Sequence, residues 1–520
     1  ESPLMMAALK GHLDLARQLI ARDADNNELK FALAGLKQSQ GDSKGAEAIF
    51  RAVGEKAGDT PDGLKAKGLL AAVYLARGDK SATRRLADEV LAKDQRNEQA
   101  LLLRASVAMD DRQLDSAIAD LRTILRDAPN SPRALLMLGK AHELAGSLPL
   151  AQENYLKAYQ AGKPAPMFGM AYAEFLLKRG QMPRAGQVAE EMLQSSPEYV
   201  PALKVLAQAR IGQGDWAAAQ AVADQIAKLD SQKQTADQVR GAIFAARKEY
   251  AASIAAFKRA YDAAPAEVQP LVALVRSYMM AGKNAEALSF LDSVTRASPG
   301  NTGAHLLRGQ LLALKGDASA AQAFETVISQ QPKEAAGYLN LANLQLRGGK
   351  TAEAEKTIGQ GLAALPGDFS LRLALGGIYE TTGRVEEAIK LYEQMLKEQP
   401  NADVIANNLA SLLSDHRTDK ESLARAYELA QRFKRSEVPQ FQDTLGWASY
   451  RVGKVDEALS LIKDATKKLP ELPVFRYHLG MSYLALNKKE IAKQELEKAL
   501  ELGGQGFLEA DQAKAALQGL

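Results

Sequence analysis

The sequence predicts an all-α solenoid, a stack of similar helix pairs rather than one closed globular core. Three observations predict it. A small residue recurs at nearly constant spacing, a glycine usually follows it after seven residues, and an alanine follows it after twelve. A fixed period of about 20–50 residues is typical of repeat proteins, in which each unit packs mainly on its neighbours.

The small residues define the period. Ten of the thirteen intervals between them are 34 residues, and the others are 37, 33 and 36. A small side chain lets two helices approach closely, so this column predicts where the first helix of each pair crosses its partner. Its members are Ala34, Ala71, Ala105, Gly139, Ala173, Ala207, Gly241, Gly309, Ala342, Gly376, Ala410, Gly446 and Gly480, with Val275 filling one slot.

The other columns predict where each helix ends. Glycine adopts positive φ without strain and therefore ends the first helix, whereas proline cannot continue the second helix. The alanine predicts a second close crossing. The glycines are Gly41, Gly78, Gly146, Gly180, Gly214, Gly282, Gly316, Gly349, Gly383 and Gly453. The alanines include Ala46, Ala117, Ala151, Ala185, Ala219, Ala287, Ala321, Ala354, Ala388, Ala458 and Ala492, and the prolines include Pro129, Pro197, Pro265, Pro332 and Pro400.

These columns resemble the tetratricopeptide-repeat (TPR) family, and Leu375-Gly376, Tyr379, Ala388, Tyr392 and Pro400 match its pattern. The resemblance covers nearly the whole chain. It implies a right-handed, superhelical α-solenoid of about fourteen helix pairs, with the first helices lining a concave groove. We expect a partial unit over residues 1–24, about fourteen units over 25–501, and a C-terminal capping helix over 502–520.

The composition is that of a folded protein without a marked charge bias. Hydrophobic residues make up 46% and charged residues 25%, and the net charge is +3. Because the basic residues are scattered, no nucleic-acid partner is expected. The absence of cysteine excludes disulfides and thiol chemistry, and no apolar run is long enough to span a membrane.

No catalytic, cofactor or metal site is expected. The five histidines lie in five different units without a metal-binding spacing. Gly349-Lys350-Thr351 imitates the end of a phosphate loop, but Leu344 stands where that motif requires glycine. The sequence therefore predicts a non-enzymatic protein.

Partner binding is expected in the concave groove. Some peptide-binding TPR domains use a Lys–Asn pair on the first helix, and the nearest pair here is Lys204 with Gln208. The other expected groove positions are notably apolar, which predicts protein or peptide partners with apolar anchors. The candidates are Trp447, Tyr450, Tyr477, Met481, Met167, Met170, Lys204 and Gln208. The alternative is that the apolar members of this set serve helix packing.

The segments Asp443–Ala448 and Phe475–Gly480 are similar to large bacterial TPR lipoproteins of exosortase and exopolysaccharide systems. This resemblance implies a scaffold in envelope assembly, polysaccharide export or protein sorting. It implies a periplasmic or outer-membrane-anchored location, with a cytoplasmic one as the alternative. A lipid anchor would require a cysteine before Glu1. Two alternatives stay open: a glycan-binding export region in which Trp447 stacks on sugar, and a regulatory arm of a larger enzyme.

Overall fold

The structure, a computed structural model, describes residues 23, 25–504 and 507–520. This part of the chain contains α-helices and two 3₁₀ turns, and no strand. It forms two compact bodies, an N-terminal body that ends at Lys283 and a C-terminal body that begins at Asn284. The predicted partial unit over residues 1–24, built around Gly11, Ala16 and Ile20, lies almost wholly outside the described residues.

The N-terminal body contains fifteen described helices, in which odd numbers mark the first helix of each pair. They are α1 (Asn27–Ser39), α2 (Ser43–Ala57), α3 (Pro61–Ala76), α4 (Lys80–Leu91), α5 (Glu98–Asp110), α6 (Leu114–Asp127), α7 (Pro132–Leu144), α8 (Leu148–Ala161), α9 (Pro166–Lys178), α10 (Met182–Ser195), α11 (Val200–Gln213), α12 (Trp216–Ala227), α13 (Lys233–Ala246), α14 (Tyr250–Ala263) and α15 (Val268–Met280).

The C-terminal body continues the alternation through fourteen described helices. They are α16 (Asn284–Ala297), α17 (Thr302–Leu314), α18 (Ala320–Gln330), α19 (Ala335–Arg347), α20 (Thr351–Ala364), α21 (Phe369–Thr381), α22 (Val385–Glu398), α23 (Asp403–His416), α24 (Lys420–Ala430), α25 (Pro439–Arg451), α26 (Val455–Lys468), α27 (Pro473–Ala485), α28 (Lys489–Gly503) and α29 (Ala510–Gln518).

Packing follows chain order, as a solenoid requires. Within each body every helix packs against the helices directly before and after it. Short connections make consecutive helices antiparallel. Several first helices also contact the first helix of the next pair, among them α9 with α11 and α11 with α13. The predicted all-α solenoid is therefore confirmed.

The turn after each first helix requires a left-handed residue. All ten glycines of the predicted column have positive φ, as at Gly383 with φ 71°. There the N–H of Arg384 reaches back to the carbonyl of Tyr379 at 2.8 Å and closes the helix end. At three of the four column positions without glycine, Arg112, Lys248 and Asn487 adopt the same conformation with φ of 57–63°. The turn geometry is thus kept even where it strains a side chain.

The small-residue column is buried throughout. Ala34, Ala71, Ala105 and Ala410 are fully inaccessible, and the glycines of the column pack against large side chains of the second helix. One expectation needs correction, because Ala320 rather than Ala321 is the fully buried alanine of α18. This repeat is one residue shorter than the others, as the interval of 33 residues between Gly309 and Ala342 shows. The missing residue comes before the alanine of the second helix, so that alanine stands one place earlier in the sequence.

Gly376 offers a direct test of close packing. A Cβ built on Gly376 would lie 2.5 Å from Cζ of the buried Tyr392, whereas one on Gly377 meets nothing within 4 Å. We expect Gly376→Ala to destabilise the C-terminal body by about 1–3 kcal/mol through overpacking. The control Gly377→Ala should stabilise it by about 0.5–1 kcal/mol, because alanine is the better helix former.

Hydrogen exchange measured on both variants checks this expectation. Faster exchange should be confined to α21–α24 in Gly376→Ala, since each helix pair contacts mainly its neighbours. Equal effects of the two substitutions would contradict the assignment of Gly376 as a close crossing.

Candidate functional site

Two adjoining cavities lie along three first helices of the N-terminal body. One has a volume of about 370 Å³ and lies along α11, α13 and α15, and the other has about 540 Å³ and lies between α13 and α15. They share Ala242, Phe257, Gln269 and Ala273 as lining residues. We call this continuous surface the α11–α15 groove.

Small side chains open this groove. Ala242, Ala245 and Ala246 of α13 line the larger cavity, and Ala273 of α15 faces it as well. Because alanine projects only one carbon, the two first helices leave space between them that larger residues would fill. Exposed apolar side chains complete the wall on α15, where Val272 is 42% and Met280 58% exposed. The groove is therefore an accessible apolar surface rather than a closed core.

Two of the predicted site residues line this groove. Lys204 and Gln208 of α11 form one end of the smaller cavity, together with Ile211. Both residues are exposed, so their polar ends are available to a ligand. The structure thus brings the nearest equivalent of the Lys–Asn pair next to an apolar surface.

Met167 and Met170 lie one first helix earlier, on α9. Met167 is 54% exposed, while Met170 is half-buried and packs against the hydrophobic core of this body. Neither residue lines the two cavities described above. These methionines therefore lie on a first helix that contacts α11, but outside the two cavities.

The predicted aromatic site in the C-terminal body is largely enclosed. Trp447 is 5% and Tyr477 6% exposed, and Tyr450 and Met481 pack partly buried against them. The Tyr450 ring stacks on Trp447 at a centroid distance of 4.7 Å, and the His478 ring does so at 4.1 Å. Both contacts are nearly parallel, with interplanar angles of 5° and 13°. We call these four rings, with Phe507, the C-terminal aromatic cluster.

The C-terminal segment covers this cluster. Phe507 meets the edge of Tyr477 at 6.3 Å, and Ala513 of α29 is fully buried in the same apolar group. Little of Trp447 is left for an external partner. Burial of the two rings corresponds to the packing role that the sequence left open, and it removes the open indole face that sugar stacking requires.

The cluster also closes an irregular turn. Arg417 occupies the usual glycine position after α23 but adopts an extended φ of −116°. Arg451 of α25 donates to the carbonyls of Ser414 and Arg417, the latter at 2.7 Å. Trp447 Nε1 donates to Asp415 Oδ1 at 2.7 Å. Arg451 thus satisfies backbone carbonyls at this helix end, while Trp447 holds a side chain of the last turn.

One ring of the cluster, His478, belongs to a buried ion pair. His478 Nδ1 is 2.9 Å from Asp443 Oδ2, and both side chains are almost inaccessible. Burial acts against a charged ring, but the charge and the hydrogen bond of Asp443 outweigh it and raise the pKa of His478. Asp415 and Glu509 add to this negative potential. Burial also raises the pKa of Glu509.

Reasoning from the sequence missed the larger cavity of the α11–α15 groove. It expected apolar groove positions but did not single out Ala242 or Arg276. The available signal was the run Gly241-Ala242 with Ala245-Ala246, which places four small residues on one helix. Among the described residues no group of three or more metal-ligating side chains occurs, and no helix is long and apolar enough to cross a membrane.

Comparison with known families agrees with the repeat geometry. Models described as tetratricopeptide repeats match residues 69–132, 102–166, 318–368 and 339–403, residues 176–242 and 244–311, and residues 475–502. Together these segments span more than half of the chain. The chain belongs to the tetratricopeptide-repeat family.

Two curated TPR proteins resemble parts of this chain. It is 27% identical over 194 residues to TPR repeat-containing protein PA4667 of Pseudomonas aeruginosa, covering 36% of this chain and 32% of that protein. It is 24% identical over 185 residues to tetratricopeptide repeat protein 21B of Xenopus laevis, covering 35% of this chain and 14% of that protein. The match spans about a third or less of either relative.

Two solved structures are also similar to this chain over nearly its whole length. The APC/C hetero-tetramer Cut9–Hcn1 matches with 14% identity and a TM-score of 0.42, covering 96% of this chain and 98% of that chain. Naa15/Naa10 bound to HypK-THB matches with 15% identity and a TM-score of 0.40, covering 99% of each chain.

The packing role of Trp447 can be tested by replacing its side chain with that of alanine. We expect Trp447→Ala to destabilise the C-terminal body by about 3–5 kcal/mol, because it removes a buried aromatic ring and leaves Asp415 Oδ1 without its donor. Hydrogen exchange should rise in α23, α25, α27 and α29. Trp216→Ala, at a partly buried position of α12, is the control and should leave these helices protected. Unchanged protection in Trp447→Ala would refute the packing role.

The His478–Asp443 pair predicts a pH dependence. Because folding raises the pKa of His478 above its ordinary 6.5, the stabilisation is complete below that value and is lost as the pH rises through the folded value. In a Trp216→Phe variant, Trp447 is the remaining tryptophan and its ring stacks on His478. Its fluorescence emission should therefore change with pH with an apparent pKa above 6.5. Adding His478→Gln should abolish the titration. A midpoint at or below 6.5 would contradict the expected direction.

Proposed function

We propose that this TPR chain is a non-catalytic protein-interaction scaffold and that the α11–α15 groove is a docking site for a segment of a partner protein. The observation that carries this proposal is the groove itself, two adjoining cavities with accessible apolar walls along three first helices. TPR repeats generally bind protein partners.

The form of the groove supports a peptide segment as ligand. Val272 and Met280 supply apolar contact area, and Ala242 and Ala273 leave room for inserted side chains. Gln208, Gln238 and Gln269 supply amide donors and acceptors for a polypeptide backbone. Apolar pockets with a few polar groups are the usual way in which a groove positions a peptide.

The cellular role that we propose is assembly in the bacterial envelope, exopolysaccharide export or protein sorting, in the periplasm or at the outer membrane. Its support is the similarity of Asp443–Ala448 and Phe475–Gly480 to bacterial TPR lipoproteins, and a composition without cysteine. A cytoplasmic scaffold would use the same groove. Direct glycan binding loses its best support, because Trp447 and Tyr477 are buried.

Blocking the groove tests the docking site. Ala246 is an exposed alanine that lines the larger cavity, and Ala221 is an exposed alanine on α12 outside it. We expect Ala246→Trp to weaken partner binding at least about tenfold by filling the groove, while Ala221→Trp leaves it unchanged.

The measurement is cross-linking and capture from the native cell extract with wild type and both variants. Circular dichroism confirms that each variant is folded. A protein retained by wild type and Ala221→Trp but lost from Ala246→Trp is the expected result. Equal capture by all three would show that partners dock elsewhere.

A further inference from the structure

The charges of the α11–α15 groove have one sign. Its charged lining residues are Lys204 and Arg276, and no aspartate or glutamate lines either cavity. Both cations are exposed. In a chain with nearly equal numbers of acidic and basic residues, a groove without carboxylates is a local feature rather than a consequence of net charge.

The two cations are also unpaired. Within the described part of the chain, neither Lys204 nor Arg276 lies within 4.0 Å of a carboxylate oxygen, whereas other arginines on the three helices of the groove are paired. Arg210 of α11 pairs with Glu190, and Arg240 of α13 lies 2.8 Å from Asp224. The groove therefore presents positive charge that no internal partner neutralises.

A carboxylate on the rim is held by amides. Glu267, which precedes α15, accepts hydrogen bonds from Gln234 at 2.7 Å and from Gln238 at 3.4 Å. It does not pair with Lys204 or Arg276 in the described structure. Glu267 therefore keeps its negative charge at the rim, but it forms no ion pair with either cation.

We propose that the α11–α15 groove binds an acidic segment of a partner protein. Aliphatic side chains of the segment lie over Ala242, Ala245 and Ala246, and its carboxylates pair with Lys204 and Arg276. This assignment rests on the proposed docking function and adds the chemistry of the partner. Charge complementarity carries the choice of an acidic over a basic or neutral segment.

A nucleic acid fits the groove less well. Of the two aromatic lining residues, Phe257 is 7% exposed and Tyr250 is half-buried, so the groove offers little ring face for base stacking. Two cations neutralise few phosphates, whereas single-strand binding requires a continuous basic track with stacking rings. The apolar walls instead match aliphatic side chains.

The test uses three fluorescein-labelled peptides that share three leucines and a serine–glycine background. One carries glutamates between the leucines, one carries lysines and one carries glutamines. Anisotropy titrations with the whole chain compare them at low and high salt. We expect the acidic peptide to bind roughly tenfold or more tightly than the basic one, with the difference reduced by salt.

Charge reversal identifies the residues. The double variant Lys204→Glu/Arg276→Glu should bind the acidic peptide roughly tenfold or more weakly than wild type does, and it should bind the basic peptide more tightly. The control Arg122→Glu/Arg126→Glu makes the same charge change at two exposed arginines of α6, which contributes nothing to the groove. It should bind like wild type. This exchange of preference cannot result from misfolding, because an unfolded variant gains no ligand.

Three results would overturn the proposal. They are equal affinities of wild type for the acidic and basic peptides, an acidic-peptide affinity unchanged by the groove variant, and tighter binding of a labelled oligothymidylate. If the glutamine peptide binds as well as the acidic one, and Ala246→Trp weakens both, the docking site is supported and only the proposed preference for acidic segments is wrong. If no peptide binds up to millimolar concentration, the docking function fails with it.

Discussion

The close crossing of the two helices in each pair is the constraint on which the rest of this structure depends. At Gly376 and Gly446 the backbone of the first helix lies so near a second-helix side chain, Tyr392 or Ile462, that even a Cβ would clash. This distance determines how the two helices of a pair pack. Because each pair packs on the next, small residues at the crossings propagate one geometry along each body.

The left-handed turn is the second part of this constraint. A short connection can reverse the chain only if one residue takes positive φ, and the protein keeps that conformation at Arg112, Lys248 and Asn487 despite the steric cost. Where the turn after α23 is longer, the chain needs another way to satisfy the helix end. Arg451 and Trp447 then bind groups of that turn, which gives the C-terminal aromatic cluster a structural reason to exist.

Periodicity predicted the solenoid because crossings and turns demand particular residue types at fixed spacing. Gly383 can be identified from the sequence as a left-handed residue, and Ala410 as a buried one. The site was harder to predict, because groove-facing residues satisfy no such backbone rule. Lys204 was found through its spacing from Gln208, whereas the cavity beside Ala242 depends on how far α13 and α15 lie apart. For Trp447 the sequence left groove binding and helix packing both open, because spacing alone does not show that the segment from Phe507 onward covers it.

The same small residues have two different consequences in this fold. At Gly241 the ring of Phe257 occupies the space that a side chain would need, and its atoms would lie 2.8 Å from an added Cβ. This position therefore contributes to packing. One residue later, Ala242 faces the cavity and leaves space. On a helix, neighbouring residues point in directions about 100° apart, so a run of small residues serves the crossing and the groove at once. Only the part of the run that faces away from the second helix is available to a partner. The α11–α15 groove therefore results from the same small residues that allow close packing. Its exposed apolar walls and the unpaired Lys204 and Arg276 determine which ligands it can bind.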